Sequence, residues 1–158
     1  MERGARVTPM RLVSIRELVP PETHLAFPAM QALRTHLADA AAFVRQVDDG
    51  QRQEGYRLIG SFDDRESAAA AVAGFRVRTS LGWRRHLYVD DLATRPDTRR
   101  RGHGGRLLEW IYQEAVRLDC GQIHLDSGVG PERGGAHRLY LNAGFAITAH
   151  HFACVRAG

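Results

Sequence analysis

A run of arginines and glycines in the middle of the chain has the composition of an anion-binding loop. Arg99-Arg100-Arg101 precedes Gly102-His103-Gly104-Gly105, and an amphipathic stretch begins at Arg106. Glycines let a backbone approach an anion closely, and arginines supply forked N–H donors suited to phosphate. The first N–H groups of a helix are also free to bind anions. The segment predicts a pyrophosphate-sized anion site, with a solvated helix start as the plainer alternative.

Two other phosphate-binding loops do not fit this segment. A Walker loop requires Lys followed by Ser or Thr, and neither occurs here. The dinucleotide fingerprint requires a glycine where this chain has Leu107. The anion site therefore belongs to another class of loop.

Two motifs in register resemble the GNAT family of N-acetyltransferases. Arg99-x-x-Gly102-x-Gly104 followed by Leu107-Leu108 resembles the family's acyl-coenzyme A signature. Further along, Ala136-His137-Arg138-Leu139-Tyr140, with Gly144-Phe145 after it, resembles the family's second motif. The resemblance covers roughly residues 87–152. One position departs from it, because Arg133 stands where the second motif often carries an Asn that contacts coenzyme A.

The resemblance implies a fold and a cosubstrate. The fold is α/β (α+β), with a mixed, mostly antiparallel sheet of about six or seven strands and about four flanking helices. A splayed parallel pair of strands marks the cofactor site. The implied cosubstrate is acetyl-coenzyme A (acetyl-CoA), and no metal is expected. The residues implied to bind it are the backbone of Leu92, Ala93 and Thr94 for the pantetheine arm, and Arg99, Arg100, Arg101, Gly102, His103, Gly104, Gly105 and Arg106 around the pyrophosphate.

The resemblance also implies catalytic roles. Tyr140 would protonate the departing thiolate while an amine attacks the thioester directly, with no acyl-enzyme. A carboxylate on the preceding strand can take the amine proton. Neighbouring strand residues point to opposite faces, so only one of Asp90 and Asp91 can face the substrate unless a bulge intervenes. The resemblance favours Asp90, because the matching position carries the base in some members of the family, and Asp91 is the reserve. Alternatively, one aspartate binds the amine as a counter-charge and the other caps the loop.

Length and composition predict one reduced, cytoplasmic domain. The chain has 158 residues, about one domain, and we expect residues 1–9 to form a flexible tail before a domain at 10–158. No apolar run approaches the ~18 residues of a membrane span, and the start lacks a secretory signal. Cys120 and Cys154 are too few for a disulfide scaffold.

The charge leaves several partner classes to consider. All 22 basic residues are arginines, the net charge is +4 and the pI is about 9.7. Such a field attracts nucleic acid, phosphorylated cofactors and acidic substrates. However, 18 acidic residues are interspersed, and the arginine cluster lies where cofactor phosphate is expected. We therefore expect no nucleic acid or membrane partner, while the family's habit allows a homodimer.

The other reactive residue types do not match the patterns of a zinc site or a serine hydrolase. The histidines at positions 124, 137, 150 and 151 lack the spacing of a helical zinc motif. Ser127 lacks the Gly-x-Ser-x-Gly elbow of a hydrolase. Cys120 and Cys154 are expected to pack rather than to react.

Hydrophobic patterning predicts the elements that position these residues. The strongest signal is a helix over 106–119, and residues 68–79 are ambiguous but are taken as a strand that pairs with 56–62. The remaining predictions are strands at 10–18, 86–94, 122–126 and 145–155, and helices at 22–36, 40–47 and 136–143.

The sequence thus predicts an N-acetyltransferase that transfers an acetyl group from acetyl-CoA to a primary amine. The alternative is a non-catalytic acyl-CoA-binding or sensing module of the same fold. The acceptor stays open between a small molecule, a peptide N-terminus, a lysine side chain and an aminoglycoside. The segments expected to form the acceptor surface, 20–47 and 128–135, show the weakest resemblance.

Overall fold

One mixed sheet organises residues 12–64 and 66–156, the parts of the chain that the computed structural model describes. The predicted tail at 1–9 and the first two residues of the predicted first strand lie outside them. None of the described helices combines the length and apolar character that a membrane span requires. The strands are β1 Val13–Glu17, β2 Arg57–Asp63, β3 Ala71–Ser80, β4 Arg84–Thr94 and β5 Gln122–Leu125; the α-helices are α1 Phe27–Leu33, α2 Ala40–Arg45, α3 His103–Arg117 and α4 Gly134–Asn142.

The sheet has the order β1-β2-β3-β4-β5. The first three pairs are antiparallel, and β4 pairs with β5 in parallel. A parallel pair needs a crossover, and α3 supplies it between β4 and β5. The predicted class, a mostly antiparallel mixed sheet flanked by four helices, is confirmed.

Apolar side chains cover both faces of this sheet. On one face, α1 and α2 contribute Met30 and Phe43 to a cluster that also contains Leu58 and Val72. On the other face, the apolar stripe of α3 packs against a cluster that includes Phe75, Leu87 and Val89. The chain therefore buries the central strands between two layers of helix, which fixes β4 in the middle of the molecule.

The predicted helix at 22–36 forms as two shorter pieces. Glu22–Ala26 is a 3₁₀ turn, and α1 follows at Phe27–Leu33. Pro28 explains the break, because a proline ring inside a continuous α-helix would clash with the carbonyl four residues earlier. At the second position of α1, its missing N–H costs nothing.

The predicted strand at 145–155 is wrong. The described residues after α4 carry no strand pairing, so the sheet has five strands rather than six or seven. Ile147 and Phe152 are 84% and 91% exposed. The apolar alternation of this segment loses its phase at His150-His151, and no single face then collects enough apolar surface to add a strand.

A buried carboxylate ties α3 to β2. Glu114 accepts hydrogen bonds from Arg117 Nε at 2.7 Å and from Arg57 Nη1 at 2.6 Å. Arg57 also donates to Glu17 on β1 at 2.7 Å. The hydrogen bonds from Arg117 and Arg57 lower the pKa of Glu114 to about 2, against the raising effect of burial.

We expect Glu114→Gln to lower the free energy of unfolding at pH 7 by about 2 kcal/mol. The folded-state pKa lies below the unfolded value, so this stability is present at neutral pH and is lost as pH falls from about 4.5 towards 2. Urea unfolding of both proteins at pH 7, 5 and 4 measures the difference. The exposed control Glu109→Gln should stay within about 0.5 kcal/mol of wild type. A Glu114→Gln difference that does not shrink below pH 4.5 would contradict the assignment.

Candidate active site

The parallel strands β4 and β5, at one edge of the sheet, separate after a short paired stretch. Their pairing covers only four positions, from His86 with Gln122 to Val89 with Leu125. β5 ends there, whereas β4 continues to Thr94 alongside β3. The stretch that contains Leu92, Ala93 and Thr94 therefore borders an opening between strands, where its backbone is available to pair with an extended ligand.

A β-bulge interrupts β4 at the two candidate carboxylates. Gly74 of β3 pairs with Asp91, but its neighbour Phe75 pairs with Val89, which leaves Asp90 as the extra residue. A bulge re-aims the side chains beside it. Asp90 and Asp91, which a regular strand would point to opposite faces, consequently border the same cavity of about 1120 Å³.

The missing side chain of Gly74 makes room for Tyr56 beside this bulge. The Tyr56 hydroxyl donates a 2.8 Å hydrogen bond to Asp91 Oδ2. A Cβ atom built on Gly74 would lie 1.7 Å from that hydroxyl oxygen. The sequence therefore needs glycine at this point of β3 so that Tyr56 can reach Asp91.

We expect Gly74→Ala to destabilise the protein by about 2 kcal/mol, because the new methyl group displaces the buried Tyr56 ring. Urea unfolding measures the change. Gly82→Ala is the matched control, since a Cβ at Gly82 meets no atom within 4 Å. Equal stabilities of the Gly74 and Gly82 variants would show that Tyr56 repacks freely.

Arginines hold both carboxylates of the bulge. Arg76 Nη1 lies 2.8 Å from Asp90 Oδ2, and Arg78 Nη2 lies 3.5 Å from the other oxygen. Arg34 Nε donates to Asp91 at 2.8 Å and Arg34 Nη2 donates to the Asp90 carbonyl at 3.0 Å. Burial raises the pKa of Asp90, and the two arginines beside it oppose that rise. Neither side chain is thus an unpaired base.

The glycine-rich loop delivers the start of α3. The helix begins at His103, and Gly102 precedes it with φ of +84°, a left-handed conformation that favours glycine. Arg100 also has a positive φ of +61°. Among the described residues, no side chain caps this end of α3, which leaves its first N–H groups to bind an anion.

Two residues of the loop face the sheet instead. His103 is buried, and its Nδ1 lies 2.8 Å from Ser61 Oγ on β2. Arg101 Nη1 lies 3.1 Å from Asp63 Oδ2, also on β2. Only the backbone of His103 can therefore face an anion, and its side chain anchors the loop. By contrast, the exposed side chains of Arg99, Arg100 and Arg106 pair with no acidic group within the described residues.

The loop also places the second motif. A Cβ built on Gly104 would lie 3.0 Å from Leu139 Cδ2, so α3 and α4 approach each other closely at this point. The next residue of α4, Tyr140, is buried and packs edge-on against Phe145 with ring centroids 6.1 Å apart. Burial raises the pKa of Tyr140, while Arg133 nearby opposes the rise. The phenol thus keeps its proton at neutral pH.

A smaller cavity of about 250 Å³ is bordered by residues of β4, of the segment after β5 and of α4. Asp90, Leu92 and Tyr140 border it, together with Asp126 and Arg133. Tyr140, Asp90 and Asp126 border the larger cavity as well. The structure therefore brings Tyr140 together with the opened end of β4.

Sequence reasoning missed several residues of the larger cavity. Tyr56 just before β2, Arg34 just after α1 and Arg76 on β3 reach the bulge, and only the fold brings them there. One feature of the sequence could have pointed to Asp126, namely its position at the end of the predicted strand 122–126. Trp83 also borders this cavity and stacks on His124 with ring centroids 3.9 Å apart. Within the described residues, no group of three or more His, Cys, Asp or Glu side chains is placed to hold a metal ion.

Comparison with known proteins decides the family. Residues 20–145 match the acetyltransferase (GNAT) family. The chain belongs to this family. Among curated proteins, it is 30% identical over 128 residues to the uncharacterized N-acetyltransferase YhdJ of Bacillus subtilis (strain 168), covering 80% of this chain and 87% of that one.

Solved structures agree on the GNAT fold. An acetyltransferase from Trypanosoma brucei superposes with a TM-score of 0.74 at 15% identity, covering 92% of this chain and all of that one. Aminoglycoside N-acetyltransferase AAC(6')-Iy, solved in complex with CoA, superposes with a TM-score of 0.73 at 15% identity, covering 95% and 99% of the two chains. These likenesses support the fold, and membership of the GNAT family makes acyl transfer the reaction class of the protein.

Proposed function

We propose that this protein is an N-acetyltransferase that transfers the acetyl group of acetyl-CoA to a primary amine. The observation that carries the proposal is the cavity of about 250 Å³ at the separated ends of β4 and β5, which Tyr140 borders. A thioester in this cavity would meet a proton donor on one side and the acceptor cavity on the other. Family membership supports the same reaction class.

The residues at the loop fit the phosphates of coenzyme A. A Cβ built on Gly102 meets no atom of the described residues within 4 Å, so a ligand has room beside this glycine. The backbone from Arg100 to Gly105 would bind the pyrophosphate, and the exposed Arg99 and Arg106 would add positive charge. The backbone of Leu92–Thr94 would pair with the pantetheine arm.

The side chains favour direct attack by the amine. Tyr140 holds its proton at neutral pH and would donate it to the departing thiolate. Neither Cys120 nor Cys154 borders either cavity, so no thiol stands ready to form an acyl-enzyme. The amine therefore needs its own path to the thioester, and the larger cavity supplies it.

The acceptor cavity carries both signs of charge. Asp90, Asp91 and Asp126 border it, as do Arg34 and Arg76, so acidic groups exceed arginines by three to two. This balance favours an acceptor that enters as an ammonium ion.

Two measurements test the proposal. Calorimetric titration of the purified protein with acetyl-CoA should give saturable binding in the micromolar range. Thiol release should then depend on an amine from a panel of cadaverine, Nα-acetyl-lysine, a dipeptide amide and kanamycin. Absence of acetyl-CoA binding by the folded protein would overturn the proposal.

One observation favours a second candidate, a non-catalytic acyl-CoA-binding module. Arginines hold both carboxylates that the sequence offers as the base. Such a module would bind acetyl-CoA equally well but release no thiol with any amine of the panel. Thiol release therefore distinguishes the two candidates.

A further inference from the structure

Asp126 differs from the other carboxylates of the acceptor cavity, because no arginine of the described residues pairs with it. Its carboxylate accepts a hydrogen bond from the Tyr88 hydroxyl and lies 3.2 Å from Nδ1 of His151. The hydroxyl is uncharged, so it leaves the negative charge of Asp126 to attract a ligand cation. Asp90 and Asp91, by contrast, already have guanidinium partners.

The position of Asp126 matches the place where chemistry is expected. It is the first residue after β5, at the point where β4 and β5 separate. Asp126 and Tyr140 border both the smaller and the larger cavity. A reacting group between the two strands would therefore have these two side chains on its borders.

The neighbouring residue independently points to a bound molecule. The hydroxyl oxygen of Ser127 is buried and has no hydrogen-bond partner among the described residues. Buried polar groups almost always have a partner. Ser127 borders both cavities, so a ligand beside Asp126 would supply that partner.

Building on the proposed function, we propose that Asp126, rather than Asp90 or Asp91, binds the ammonium group of the acceptor and removes its proton. Both carboxylate oxygens of Asp90 already face a guanidinium, Arg76 Nη1 at 2.8 Å and Arg78 Nη2 at 3.5 Å, so Asp90 would have to rearrange before it could take a proton from a third cation. The arginine pairs instead position the bulge of β4. Asp126 needs no such rearrangement, since its side chain is 54% exposed.

The reaction consists of four proton transfers and one exchange of a C–S bond for a C–N bond. One proton of the ammonium ion passes to an Asp126 carboxylate oxygen, which frees the nitrogen lone pair. The new C–N bond forms as the C–S bond breaks, and sulfur takes the proton of the Tyr140 hydroxyl. A second nitrogen proton returns to the Tyr140 oxygen. Asp126 then releases its proton to water, with His151 on the exposed side as a relay.

The experiment compares Asp126→Asn and Asp90→Asn in the thiol-release assay, using the most active amine of the panel. Asn keeps an oxygen that can accept the Tyr88 hydrogen bond and removes only the charge, so Asp126→Asn should fold normally. We expect kcat/KM for the amine to fall about 100-fold or more in Asp126→Asn and less than about 10-fold in Asp90→Asn. Acetyl-CoA Kd, measured on the same samples, should stay within about twofold of wild type.

A third variant separates charge from packing. Asp126→Glu retains a carboxylate and should recover at least about 10-fold of the kcat/KM lost in Asp126→Asn. Equal kcat/KM in wild type and Asp126→Asn, or a larger loss in Asp90→Asn than in Asp126→Asn, would overturn the assignment of Asp126 alone. Absence of thiol release by wild type with every amine, despite acetyl-CoA binding, would overturn the proposed function too.

Discussion

Replacement of Tyr140 by Phe should lower kcat for thiol release by about 100- to 1000-fold and leave the Kd of acetyl-CoA unchanged. The substitution removes only the hydroxyl, and the ring can keep its edge-on contact with Phe145. The loss of kcat therefore reports the missing proton donor rather than a change in packing.

The pH dependence of this variant has a definite sign. Burial raises the pKa of Tyr140 from the ordinary value of a phenol, so raising the pH from 7 to 9 should not remove its proton. The ratio of wild-type to Tyr140→Phe kcat should consequently be constant over that range. The control Tyr112→Phe, on the exposed side of α3, should keep wild-type kcat. Wild-type kcat in Tyr140→Phe at every pH would remove Tyr140 as the acid.

Glutamate at the loop glycines should abolish cosubstrate binding. Gly102→Glu places a negative side chain at the start of α3 and forces a side chain into φ of +84°. Gly104→Glu adds the charge and presses on Leu139, 3.0 Å from the built Cβ. We expect each variant to raise the Kd of acetyl-CoA by about 100-fold or more in calorimetric titration.

Gly121→Glu is the charge-matched control for this pair. It lies just before β5, near the other end of α3, and a Cβ there meets no atom within 4 Å. Its Kd for acetyl-CoA should equal that of wild type. Unchanged affinity in the Gly102 and Gly104 variants, with thermal unfolding showing intact folds, would mean that the loop is not the phosphate site.

Local patterns predicted the secondary structure around the glycine-rich loop well. The amphipathic stretch after Arg106 has the 3.6-residue period of α3, and three glycines precede it, so composition and periodicity point to one loop and one helix. The patterns of β4 and α4 predicted a strand and a helix equally well, because each element has a short periodic pattern that is followed by a turn. These features depend on residues that are neighbours in the chain.

The contacts around the β-bulge of β4 could not be predicted from local patterns. Arg34 and Asp91 form an ion pair across 57 positions of sequence, and Tyr56 reaches Asp91 only because β3 carries a glycine opposite it. The prediction of a final strand at 145–155 was wrong for the opposite reason, since the local pattern was present and the tertiary contacts were not. Phe145, Ile147 and Ala149 alternate as a strand would, but strand formation also needs a partner edge and a buried face, which no local pattern specifies.

The cations around the site are all arginines, in the loop as well as beside the bulge. A guanidinium stays protonated throughout the physiological range and is therefore a very poor nucleophile, whereas a lysine ε-amine close to a thioester would accept the acyl group itself. Because the sequence contains no lysine, the protein can concentrate positive charge at an acyl donor without offering its own cationic side chains for acetylation. Its charge pattern is thus protected from self-modification during turnover.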